Sequence, residues 1–147
     1  MQLKKPPRFG PNQALIYSST GDPGGVASEM NKWLNSHPFI LTSLDSKGLE
    51  FDDCVVAFDV ERKAWDMNAA KVSSLMLLRE LYVAVTRAKR RVVILTKTQQ
   101  IKEFFMSLQG CNIEESDAKV ALLEFDSATT KEEWLKRGQE LFEVRVT

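Results

Sequence analysis

The run LYVAVTRAKRRVVIL (residues 81–95) passes from an apolar, helix-like stretch through VTRAK into a β-branched stretch with no spacer. A helix that feeds a strand directly is the repeating unit of α/β sheets. Upstream, Leu75, Leu78, Tyr82 and Val85 recur at helical spacing, and Leu77, Leu81, Ala84 and Ala88 widen that apolar face. The pattern predicts a helix over 72–90 and a strand over 91–97. It also puts Glu80, Arg87 and Arg91 on one stripe opposite the Leu78–Tyr82–Val85 face.

The same alternation extends both ways. QALIYSS (13–19), HPFILTSL (37–44) and CVVAFDV (54–60) read as strands, and KVALLEF (119–125) as a possible fifth. TGDPGG (20–25) is a turn by composition. VASEMNKWLNS (26–36) has Val26, Met30, Trp33 and Leu34 at helical spacing, and ERKAWDMNAAK (61–71) is an irregular connector. TQQIKEFFMSLQG (98–110) reads as a helix with Ile101, Phe104, Phe105 and Leu108 inward and Gly110 at its end. TTKEEWLKRGQELFEV (129–144) reads as a helix in which Thr130 and Glu133 form a capping box. The strands are continuous apolar runs, which predicts a parallel sheet with helices on both faces. Sites in such sheets lie beyond the carboxyl ends of the strands, here SSTGD, TSLDSKGLEF and the start of DVERK.

Composition bounds the function. Lys plus Arg and Asp plus Glu each total 20, so the net charge is zero. That argues against wholesale wrapping of nucleic acid, though not against a local basic patch. Cys54 sits in an apolar run and is expected to be a buried free thiol; Cys111 is far from it, and no Cys/His cluster suggests zinc. No apolar run approaches the length of a membrane helix. MQLKKPPRFGPN (1–12) has no apolar core of a secretory signal and reads as a proline-rich linker. The expected setting is intracellular, nuclear or cytoplasmic.

Two stretches carry chemistry. In ILTSLDSKGLEFDD (40–53) a strand ends at Thr42 and a loop with Lys47, Gly48 and Glu50 follows. A glycine lets backbone approach a ligand, and a carboxylate there can accept from ribose hydroxyls; a solvated loop has the same composition. In VAVTRAKRRVV (83–93) the arginines fit a solvated face or an arginine finger, a guanidinium that forks onto phosphate oxygens.

Together, and in this order, the stretches resemble two signature motifs of the UvrD/Rep-like superfamily-1 helicases. TSLDSKGLEFD is similar to the fifth helicase motif and LYVAVTRAKRRVVIL to the sixth. The resemblance implies a three-layer RecA-like (P-loop NTPase-like) α/β fold over 13–127, the second of two motor domains. It implies ATP with Mg, bound in a cleft shared with an N-terminal RecA-like domain of the same protein, which holds the metal. Within it, Lys47, Gly48 and Glu50 would meet the nucleotide, Glu50 near the ribose, and Arg87 would reach the γ-phosphate as the catalytic residue. Thr42 and Ser43 would face single-stranded DNA or RNA. Family members often carry histidine three residues before the motif lysine; this chain has Leu44. The segment TTKEEWLKRGQELFE, within 128–147, is similar to one that follows the motor in TPR-and-ankyrin-repeat helicase-like proteins, where helical repeats begin. A helix packed on the sheet fits it equally.

The chain has no G-x-x-x-x-G-K-[ST] phosphate loop, and STGDPGGVAS does not supply one. Half an ATPase site is therefore expected, inactive alone. A catalytically silent interaction module of a large scaffold is the rival expectation. DVERK (59–63) loosely resembles a metal-dependent nuclease site, and His37 has no partner that suggests catalysis.

Overall fold

A computed structural model describes residues 8–18, 37, 39–58, 72–97, 99–110, 112–115 and 129–146. The turn at 20–25, the helix over 26–36, DVERK, the connector at 61–71, Cys111 and the candidate strand 119–125 fall outside these residues.

Among the described residues, four strands form one sheet: β1 (Gln13–Tyr17), β2 (Ile40–Thr42), β3 (Phe51–Ala57) and β4 (Ala88–Leu95), in the order β2-β1-β3-β4. All neighbours are parallel, with Leu15 beside Ile40 and Val55, and Val55 beside Val93. The chain lays β2 on one flank of β1, then crosses back to lay β3 and β4 on the other. With its helices this is an α/β fold. Ala14, Ile16, Cys54 and Val56 point to one face, where Leu77, Leu81 and Ala84 of helix α1 (Val72–Val85) and Ile101 of α2 (Gln99–Met106) meet them in one core. Alternation turns Leu15 and Val55 to the opposite face, and they are equally enclosed. Burial on both faces is why these strands read as unbroken apolar runs.

The structure moves several boundaries. α1 stops at Val85 and β4 begins at Ala88, so 86–91 is not helical and Arg91 shares no helical stripe with Glu80. Thr86 ends the helix by donating its hydroxyl to the Tyr82 carbonyl at 2.8 Å. The inward face of α1 is Leu77–Leu81–Ala84; Leu75 and Tyr82 are 52% and 69% exposed, contrary to the expected register. β3 starts at Phe51, ahead of the expected Cys54, because Asp53 is buried with its charge met. Arg90 Nε donates to Asp53 Oδ1 at 3.1 Å, Arg90 donates to Oδ2 at 2.7 Å, and Gln13 Nε2 donates to Oδ2 at 3.2 Å. A register shift explains how the neighbouring Arg91 also comes within 3.6 Å of Asp53. Phe51 pairs with Ala88 but Asp53 with Arg91, so β4 carries an extra residue that breaks strict alternation. Burial pushes the Asp53 carboxyl up, but Arg90, Gln13 and Arg91 outweigh it and hold it below its ordinary range.

Helix α3 (Lys131–Val146) packs against the sheet end near Phe39 and Phe51. Its first turn is capped as expected: the Glu133 amide donates to Thr130 Oγ1 at 3.3 Å. Trp134 stacks on Phe39 at 6.3 Å between ring centres and meets His37 edge-on at 5.7 Å. His37 is structural here. Its Nδ1 accepts from the Phe39 amide and Nε2 lies 3.2 Å from the Gly10 carbonyl, with Phe9 and Phe39 against the ring. Accepting at Nδ1 fixes the neutral Nε2–H tautomer, and burial pulls its pKa down.

Candidate nucleotide-facing site

The loop from β2 to β3 joins the two signature stretches. It opens as a helical turn: the Ser46 amide donates to Thr42 O at 3.1 Å, and Lys47 N donates to Leu44 O at 3.3 Å. Gly48 ends the turn at φ +81°, a left-handed conformation that suits glycine. Leu49 then drops onto the core. In these few residues the chain travels back along the sheet, from the carboxyl end of β2 to the amino end of β3.

That path separates the candidate residues into two groups. Thr42 and Ser43 stay at the carboxyl end of β2. Thr42 Oγ1 accepts from the Asp45 amide at 3.2 Å, and Ser43 is 1% exposed, its hydroxyl enclosed without a hydrogen-bond partner among the described residues. An approaching strand there would meet exposed Leu44, 55% accessible, and exposed Asp45. Gly48 and Glu50 lie instead at the amino end of β3, beside Arg87 just ahead of β4. The Phe51 amide donates to the Arg87 carbonyl at 2.8 Å and stitches the two ends together. Lys47 stands exposed at the start of the approach.

Arg87 is half-buried and faces this loop. Its Nε donates to Val83 O at 3.1 Å, and its terminal nitrogens reach Leu49 O at 3.5 Å and Thr86 Oγ1 at 3.4 Å. The last two contacts are long, so the fork is aimed but not saturated. Glu50 projects beside it, and Lys89 Nζ lies 3.6 Å from Glu50 Oε2 with both side chains solvated. Gly48, Leu49, Glu50, Arg87 and Lys89 wall an opening of about 340 Å³, to whose lining Arg137, Glu140 and Leu141 of α3 also contribute.

No protein-family model matches the chain, and no curated protein matches it. The site therefore rests on its own geometry. It can accept hydrogen bonds through the Glu50 carboxylate and donate to an anion through Arg87 and Lys89. Among the described residues no cluster of His, Cys, Asp or Glu forms a metal site, and no helix is long and apolar enough to cross a membrane.

Of the nucleotide residues the sequence pointed to, Gly48, Glu50 and Arg87 line the opening and Lys47 does not; it missed Arg137, which lines it too. Arg137 sits within an ordinary charged helix, and its own contacts with the Phe39 and Phe51 rings and with Glu50 O bring it to the loop.

Proposed function

We propose that this chain is the second motor domain of an ATP-dependent helicase or translocase, a RecA-like fold that acts on single-stranded DNA or RNA. The reading is carried by one observation: the loop at 48–50 and the arginine at 87, from two separate crossovers, converge on one opening with the guanidinium beside Leu49 O. Glu50 is the ribose acceptor in this reading. Arg87 is the finger, reaching across a cleft to a phosphate cradled, with its Mg, by an N-terminal domain of the same protein. A guanidinium suits the task because it stays charged and forks onto two oxygens. Such fingers contribute roughly 10³–10⁵-fold to phosphoryl transfer. Lys47 and Gly48 bring backbone to the nucleotide, and Thr42 with Ser43 marks the strand-facing end. With Ser43 enclosed, a strand there meets Leu44, Asp45 and backbone first.

The test uses the motor joined to its phosphate-loop domain. Arg87→Ala is expected to abolish ATP turnover while ATP binding persists; turnover at the wild-type rate in that variant defeats the reading.

A second reading is a catalytically silent interaction module. It is favoured by exposed Leu44 at the family's frequent histidine position and by the pairing of Glu50 with Lys89. Absence of nucleic-acid-stimulated ATP hydrolysis by the intact protein selects this reading, and clear stimulation excludes it.

A further inference from the structure

We infer that Arg137 of α3 is a positioning residue of the opening, which makes the helix part of the nucleotide site; the inference rests on the nucleotide reading above. Two arginines grip consecutive carbonyls of the loop. Arg87 reaches Leu49 O at 3.5 Å, and Arg137 donates to Glu50 O at 2.5 Å. The short bond fixes the peptide that carries the Glu50 carboxylate. The long one leaves Arg87 free to turn toward an anion.

Arg137 is itself held from three sides. Its guanidinium carbon lies 5.1 Å from the Phe51 ring centre and 5.8 Å from that of Phe39, and Glu140 stands 3.7 Å from its terminal nitrogen. The side chain is only 12% exposed. Enclosing a cation this far is costly, and a leucine would cover the same two rings without that cost. What the arginine adds is direction. It ties α3 to one backbone oxygen, next to the carboxylate and within reach of the Arg87 loop.

Magnesium-ATP is the probe, titrated into the motor joined to its phosphate-loop domain and followed by amide chemical shifts at Gly48, Leu49, Glu50 and Arg87. Arg137→Ala is expected to weaken binding about tenfold, the loss of one hydrogen bond from a charged donor. Trp134→Leu removes the other anchor of α3 without touching Glu50 O, and is expected to stay within about threefold of wild type, as a side chain outside the opening should. A role confined to docking the helix would weaken both variants alike. Should Arg137→Ala fail to fold, Arg137→Lys carries the test, since its compact ammonium lacks the planar fork; weaker binding than wild type is again expected. Wild-type affinity in the Arg137 variants, or equal losses at Trp134 and Arg137, overturns the inference while leaving the site intact. If the joined wild-type protein shows no ATP-dependent shift at these amides, the nucleotide reading falls and takes the inference with it.

Discussion

Gly48 occupies a left-handed conformation with nothing within 4 Å of where a Cβ would stand. A side chain there meets no neighbour, so its cost is backbone strain alone. Gly48→Ala is expected to destabilise the fold by about 1–2 kcal/mol, read as a lower urea midpoint at unchanged slope. Cys54 makes a different case. Burial, with Asp53 beside it, pushes its thiol up to about 12. At pH 8 the thiolate fraction is roughly one in ten thousand. In a Cys111→Ser chain, native Cys54 is expected to resist Ellman's reagent and to react fully once denatured; quick labelling of the native chain would contradict its burial. This thiol was legible from CVVAFDV, because Cys54 opens a β-branched apolar run that reads as a buried strand. Asp53 was not. Its neutralisation needs Arg90 and Gln13, which lie 37 and 40 residues away in the chain.

The elements were legible to different degrees, for identifiable reasons. α1 was found, and most of its inward face with it, but Leu75 and Tyr82 were wrongly set inward, since LMLLRELYVAV is apolar on nearly every side and periodicity cannot choose among the faces. The packing chooses Leu77, Leu81 and Ala84. Leu81→Ala is therefore expected to cost about 2–5 kcal/mol, and Leu75→Ala no more than about 0.5 kcal/mol, measured by chemical denaturation. The reverse order would restore the register read from sequence. The border between α1 and β4 was misplaced for a related reason. Ala, Lys and Arg favour helix, and TRAKRR gives no local stop signal; what ends the helix is the Thr86 hydroxyl and the pairing of Phe51 with Arg87 O. Of the site, the two loops were legible as motifs, but their meeting at the amino ends of β3 and β4 was not. That depends on the β2–β3 loop running back along the sheet after Gly48.

At the scale of the molecule, acid acts through half-buried His37 and buried Asp53. Both His37 and Asp53 have pKa values lowered by folding, from ordinary values of 6.5 and 3.8. The unfolded chain therefore binds protons more readily than the folded one at each group. The His37 contribution is complete above pH 6.5 and is lost as the pH falls below it; the Asp53 contribution is lost only below pH 3.8. Stability is expected to decline in two stages on acidification, and His37→Gln is expected to remove the first stage. A two-stage decline that survives in that variant would assign the first stage elsewhere.

The strand order has a consequence for synthesis on the ribosome. β1 is made first yet lies between strands that follow it, with Gln13 beside Asp53. No hairpin can shelter it in the meantime, and parallel partners come only after long stretches of chain. The nascent chain must carry β1 unpaired until Ile40–Thr42 emerges, and with one edge still open until Phe51–Ala57 has cleared the exit tunnel. Chaperone holding in that interval is the natural remedy, and slow translation of the early region would prolong the exposure.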